Sequence, residues 1–283
     1  MKKTTLVLFC MAYFISLDVL AFSTFKKKHL VGIKSVAIVS VYTNVPYLEL
    51  AKQAPRTRII RNDAFPDAGR SHWDMPQRST NNQVQTIKKP VRLDEEHLPE
   101  LHQYILQSFT KVFREAGWTV LDHSQLMAST GYKKFMAGVY DRSQRTWWGR
   151  NHDWLPMQGM TVYQINKLYR EDRRAGAFSK ELGVDAVASI ECELKFRPYN
   201  AFGGLGSAVA RTRCRVYMVT DKGKYAIYGI NVNRWHASNS KERVKMYNGE
   251  INVGPEKSKR MMKQALDQNF RYYAKKISKT VKK

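Results

Sequence analysis

Two alternating runs, residues 185–196 and 209–220, limit the folds open to this chain more than any other feature. In the first, Ala188, Ile190, Cys192, Leu194 and Phe196 share one parity, and Ser189, Glu191, Glu193 and Lys195 the other. In the second, Cys214, Val216 and Met218 alternate with Arg211, Arg213, Arg215 and Tyr217. A period of two marks a strand with one buried face, so both are expected as half-buried strands. The link between them holds Gly203, Gly204 and Gly206. It lacks the lysine and Ser/Thr of a phosphate loop and joins two strands, so it is read as a flexible hairpin loop or, with Phe202, an apolar tip. A hairpin folding about Gly203 sets opposite each other residues whose numbers sum to 406, which pairs Cys192 with Cys214 on the apolar face. Directly opposed β-carbons lie about 4.5–5.5 Å apart, near disulfide reach. Register alone leaves two readings open, a disulfide or two buried free thiols. Asp221-Lys222-Gly223-Lys224 then reads as a tight turn, and residues 225–235 as a third strand.

Upstream, residues 34–43 are apolar on both parities, which predicts a strand covered on both faces. Leu98, Leu101, Ile105, Phe109, Val112 and Ala116 recur at helical steps, predicting a helix over 98–116 behind Asp94, Glu95 and Glu96 and stopped by Gly117. Trp118 to Leu121 reads as a short strand. A second helix is expected from Thr161, where Thr161 and Gln164 have capping-box spacing, with a break near Gly176 and an end at Gly183. A last helix follows Gly254-Pro255 and runs to about Val281, with Met262, Leu266, Phe270, Tyr273 and Ile277 as its stripe. The expected fold is therefore an α/β (α+β) sandwich, a mixed sheet of about five strands covered by three main helices. Two insertions would decorate it, at about 44–92, rich in proline, and 123–160, rich in aromatic and basic residues.

Four phrases in this order resemble the TolB N-terminal-like domain of bacterial envelope proteins, also found in the curli-secretion channel protein CsgG. They are Ser35 to Val39, Phe113 to Asp122, Lys180 to Val187, and Val216 to Tyr225. Together they span less than half of the chain. The resemblance implies a non-enzymatic domain that mediates assembly in the envelope, and it brings no catalytic residues. The long insertions depart from it. So does the lack of a lipid-attachment cysteine and of alternating membrane hairpins, which puts a pore-forming role in doubt.

The first 21 residues have the layout of a secretory signal peptide: Lys2-Lys3, an apolar run from Leu6 to Leu17, and Val19-Leu20-Ala21 before a cleavage point. The layout favours cleavage over an uncleaved anchor, leaving one domain over 22–283 exported to the periplasm, peripheral at the outer membrane or free. The chain carries a formal charge of +24, and removal of Lys2, Lys3 and Asp18 leaves +23. Such a surface draws polyanions.

The segment around Arg145, Trp147, Trp148, Arg150 and Trp154 interleaves guanidinium groups with rings, which suits a contact surface; the same tryptophans also fit a loop folded onto the core. Lys275, Lys276, Lys279, Lys282 and Lys283 could meet anionic lipid or form a solvated helix end. His97 and His102 have no metal-pair spacing, His152-Asp153 has no matched nucleophile, and no catalytic residue, metal site or cofactor is expected. Three functions follow, in order. The chain is expected to be a structural or accessory component of an envelope assembly, a secretion system or surface-appendage machine, acting through protein contacts. The alternative is a polyanion-binding module for lipopolysaccharide, polysaccharide or, less so, nucleic acid; a secreted hydrolase comes third.

Overall fold

The computed structural model describes residues 24–51, 86–90, 97–143, 154–163, 165, 171–202, 205–229, 234–239, 242–247 and 250–282. The signal-like residues 1–21 lie outside these. In chain order the elements are α1 (Lys27–Leu30), β1 (Ser35–Asn44), β2 (Tyr47–Ala51), β3 (Thr86–Pro90), α2 (His97–Glu115), β4 (Thr119–Val120), α3 (His123–Ala128), α4 (Thr130–Ser143) and β5 (Trp154–Pro156). They continue with α5 (Glu171–Glu181), β6 (Ala186–Phe202), β7 (Leu205–Thr220), β8 (Tyr225–Tyr228), β9 (His236–Ala237), β10 (Val244–Tyr247), β11 (Glu250–Ile251) and α6 (Pro255–Val281).

All the described strands join one mixed sheet, whose main path runs β11-β10-β7-β6-β1-β4. It has eleven strands rather than about five, because the regions expected to be insertions supply β2, β3 and β5, and the stretch before α6 supplies β9, β10 and β11. The β6–β7 hairpin is its longest pairing, and Ala186↔Thr220, Cys192↔Cys214 and Tyr199↔Ser207 all keep the expected sum of 406. β1 lies parallel to β6 on one side; on the other it pairs with β4 at its start and β5 at its end. After Asn44 the chain bends, and β2 resumes pairing with β6 at Lys195 and Phe196. The Asn44 side chain bridges the bend: Leu194 N–H donates to its Oδ1 at 2.6 Å and its Nδ2 donates to Leu194 C=O at 2.9 Å.

One sheet face is covered by α2 and α6, which run parallel. The predicted stripes meet there, with Phe109 edge-on to Phe270 and Tyr273 at 5.2 and 5.4 Å. Lys259 also bridges to Glu100 at 2.6 Å near the helix starts. The other face buries Leu126 of α3, Tyr132, Phe135 and Met136 of α4, Tyr163, and Ala175 and Phe178 of α5. Phe135 and Phe178 stack at 4.0 Å. The described part of residues 123–160 is thus not decoration, since α3 and α4 bury Leu126, Tyr132, Phe135 and Met136 in the second core.

Three local expectations change. Thr161 does not open a helix. Residues 161–163 lie across the sheet as extended chain, because hydroxyls on the strands satisfy their backbone groups. Ser40 Oγ donates to Thr161 C=O at 2.6 Å, Tyr163 N–H donates to Ser40 Oγ at 3.2 Å, and Ser189 Oγ donates to Tyr163 C=O. α5 does not break at Gly176. A β-carbon there would stand 2.5 Å from the Gly223 backbone nitrogen, so the small residue serves the approach of the β7–β8 turn. Finally, β6 is not half-buried: Ser189, Glu191, Glu193 and Lys195 are buried too, because this face is also covered.

Candidate functional site

Along β6 and β7 the face that carries α3 to α5 changes character with distance from Ala186. It begins apolar, with Val187 beside Val219. Next come two buried ion pairs between directly opposed residues, Glu191 with Arg215 and Glu193 with Arg213. Glu191 is 1% exposed and Glu193 5%. Tyrosines from the neighbouring strands cap both carboxylates: Tyr42 OH donates to Glu191 at 3.2 Å and Tyr47 OH to Glu193 at 2.8 Å. Burial, and then the Glu191 charge, push the Tyr42 phenol well above its usual pKa, so it stays a donor. Ion pairs this buried repay their desolvation only with such extra hydrogen bonds.

Beyond Glu193 neither β6 nor β7 carries another carboxylate. Lys195 stands opposite Arg211, and Arg197 opposite Val209. Lys195 Nζ lies 3.7 Å from the Trp235 ring centroid and Arg213 Cζ 4.6 Å, so the indole lies against both cations, Arg213 being also the ion-pair partner of Glu193. Further out the sheet widens by β10, which lays Lys245 beside Ser207 and so in one row with Tyr199. Arg243 Cζ sits 4.1 Å from the Tyr199 ring centroid. Arg197, Tyr199, Leu205, Arg243, Lys245 and Tyr247 are all exposed. Arg197, Arg243 and Lys245 have no ion-pair partner among the described residues. Glu250 of β11, opposite Tyr247, closes the outermost row.

Of the residues singled out from sequence, Trp154 lies in β5, its ring edge-on to Tyr42 at 5.3 Å, which joins it to the Glu191 chain. Arg145, Trp147, Trp148 and Arg150 lie outside the described residues. Lys275, Lys276, Lys279 and Lys282 are exposed on α6, away from its buried stripe. α6 follows β7 from Thr212 at Asn269 to Val216 at Tyr273, so these lysines sit at the opposite end of the sheet from Arg197. Lys283 lies outside the described residues. Cys192 and Cys214 occupy the other face under α6, directly opposed, both free and fully buried. Burial and the neighbouring Cys214 raise the Cys192 thiol well above its usual pKa, so it is held as a thiol.

Sequence reasoning missed Arg197, Tyr199, Leu205, Trp235, Arg243, Lys245 and Tyr247. The signal for the first part was present, since the 406 register already pairs Glu191 with Arg215 and Glu193 with Arg213 and leaves Lys195 against Arg211. Among the described residues no cluster of His, Cys, Asp or Glu is arranged to hold a metal, and no helix is long and apolar enough to cross a membrane. No protein-family model matches the chain, and no curated protein is detectably similar to it.

Proposed function

We propose that this chain is an exported, non-catalytic binding protein of the bacterial envelope that holds an anionic partner on the distal face of β6, β7 and β10. One observation carries the reading: after two internally neutralised rungs, the same face presents Arg197, Arg243 and Lys245 to solvent, none of them in an ion pair among the described residues. Arg243, steadied on the Tyr199 ring, is partly ordered before a ligand arrives, which lowers the entropy cost of binding. Support for the envelope comes from the signal-like layout of residues 1–21 and from the resemblance to envelope assembly domains.

The test is retention on immobilised heparin across a salt gradient. Replacing Arg197, Arg243 and Lys245 together by Ser is expected to move elution to clearly lower salt, while replacing Lys275, Lys279 and Lys282 by Ser has the smaller effect. Equal shifts from the two triple variants would leave only general basicity and sink the reading.

A second reading has its own support. Tyr199, Leu205 and Tyr247 are exposed beside arginine, a composition enriched at protein interfaces. On it the chain is an accessory subunit of a secretion or surface-appendage machine with an acidic protein partner. A crosslinked complex that survives high salt favours this reading; salt-labile heparin retention without a protein partner favours the first.

A further inference from the structure

The exposed apolar residues say which anionic partner this face fits. Five large hydrophobic residues are exposed among the described ones: Val31, Val45, Tyr199, Leu205 and Tyr247. Three of them belong to the distal face, and two are its outermost members. Leu205 is 54% exposed and Tyr247 62%. The pairing of Gly206 with Met246 and of Ser207 with Lys245 puts Leu205 and Tyr247 in adjacent strands on the next rung, at the end of the hairpin. Behind them, on the opposite face, Ala208, Val244 and Met246 are buried, so the tip is backed by core.

We infer that the partner is an anionic lipid bilayer, met tip first, with Leu205 and Tyr247 entering its interface and Lys245, Arg243 and Arg197 facing headgroup phosphates. This rests on the anionic-partner reading above and names its occupant. Two residues along a strand span about 7 Å, so Lys245 stands about 7 Å behind the tip and the Arg197–Arg243 rung about 14 Å. The headgroup layer on each side of a bilayer is about 5–7 Å thick. With the tip at the acyl boundary, Lys245 falls at the phosphates and the two arginines just outside them, where long side chains reach inward. Tyr247 is of the type enriched at this interface. Glu250 beside it restricts entry to a shallow one, since a carboxylate resists the acyl region.

A soluble anionic polymer explains this face less well. Leu205 has no flat ring to stack on a sugar or base, and the Tyr199 ring already carries the Arg243 guanidinium. A polymer read by charge alone would gain nothing from a leucine and a tyrosine held in water, whereas a bilayer gains from both.

The experiment is co-sedimentation of the purified protein with vesicles of phosphatidylcholine plus phosphatidylglycerol, against vesicles of phosphatidylcholine alone, with heparin retention measured in parallel. Wild type is expected to sediment with the anionic vesicles only. Leu205→Ser with Tyr247→Ser is expected to weaken vesicle binding by about tenfold and leave heparin retention unchanged. The triple serine variant at Arg197, Arg243 and Lys245 weakens both. A Leu205→Trp variant reports entry directly, by a blue shift of added emission with anionic vesicles. Heparin retention without vesicle binding, or vesicle binding indifferent to the Leu205 and Tyr247 changes, overturns the lipid assignment and leaves the anionic-partner reading standing. Failure on both heparin and vesicles overturns both. Capture of a salt-resistant protein partner that depends on Leu205 and Tyr247, without vesicle binding, also overturns the lipid assignment.

Discussion

Cys192 and Cys214 face each other across a rung of β6–β7 whose backbone groups do not bond to one another. Those of Cys214 bond elsewhere: its N–H donates to Asn269 Oδ1 and its C=O accepts from Tyr273 OH, both at 3.1 Å and both outside the hairpin. Rungs of this type bring the α-carbons to about 4.5 Å, the closer of the two antiparallel spacings and inside the range a disulfide needs. The two thiols are fully buried, so an oxidant reaches them only before α6 docks.

The chain folded in an oxidising compartment is therefore expected to carry the bond, each thiol giving up a proton and an electron to an exogenous disulfide. Denatured without reductant, that protein, once freed of residues 1–21 and so of Cys10, should take up no alkylating label. Protein folded under reducing conditions should keep two thiols that a disulfide oxidant fails to close in the native state. Two labelled cysteines in the first sample would rule the bond out. Its loop should add about 3 kcal/mol of stability.

The same suture makes a second prediction. Between the segments paired with β8 and β9, the outer edge of β7 has α6 beside it, and Asn269 and Tyr273 take the place of a strand. Tyr273 OH accepts from Val216 N–H at 3.1 Å while donating to Cys214 C=O. Tyr273→Phe keeps the ring and removes both bonds, leaving buried backbone groups unpaired. Urea unfolding should show a loss of about 1–3 kcal/mol. A loss below a few tenths would mean that water replaces the hydroxyl.

The buried pair Glu191–Arg215 should be costly to break and cheap to replace. Glu191→Gln strands a guanidinium in the sheet and should cost about 3 kcal/mol or more. Glu191→Leu combined with Arg215→Met removes both charges and should recover much of that. Strict additivity of Glu191→Leu and Arg215→Met in the double variant, measured by the same unfolding curves, would show that the two charges do not act as a pair.

Gly176→Ala tests the approach of α5 to the β7–β8 turn. The new carbon would meet Gly223 N at 2.5 Å and Cα at 2.7 Å, both backbone atoms that cannot rotate away. A loss of about 1–3 kcal/mol is expected. Gly32→Ala, where nothing lies within 4 Å, is the control and should be near neutral.

What could be read from the sequence follows a physical divide. The hairpin register was legible because parity, glycines and turn agree on a single sum, and the α2 and α6 stripes because each buries one face at a fixed period. The β1 strand was legible because it is apolar on both sides. The segment from Thr161 was misread because its backbone bonds go to Ser40 and Ser189, distant in sequence, which no local pattern records. The sheet was undercounted because β2, β5 and β10 are short and owe their pairing to β6, β1 and β7 rather than to their own composition. For the same reason the distal face was half legible: Lys195 and Arg211 follow from the hairpin, whereas Arg243, Lys245 and Tyr247 arrive on β10.

His102 gives the fold a defined acid sensitivity. Its ring lies under α2 against β1, 3.0 Å from Thr43 Oγ1, and burial lowers its pKa to about 4 from the ordinary 6.5. Above pH 6.5 the imidazole is neutral in both folded and unfolded chains, and the stability linked to it is complete. As pH falls from 6.5 towards 4, the unfolded chain takes up a proton that the folded one refuses, so stability drops by about 3 kcal/mol over that window. His29, His123 and His236 are lowered by burial as well and act in the same sense. His102→Gln can keep a hydrogen bond to Thr43 but has no proton to gain. Its unfolding free energy is expected to fall less steeply between pH 6.5 and 4 than that of the wild type, even if it is lower at pH 7. Parallel curves for the two proteins would assign the acid loss to other groups.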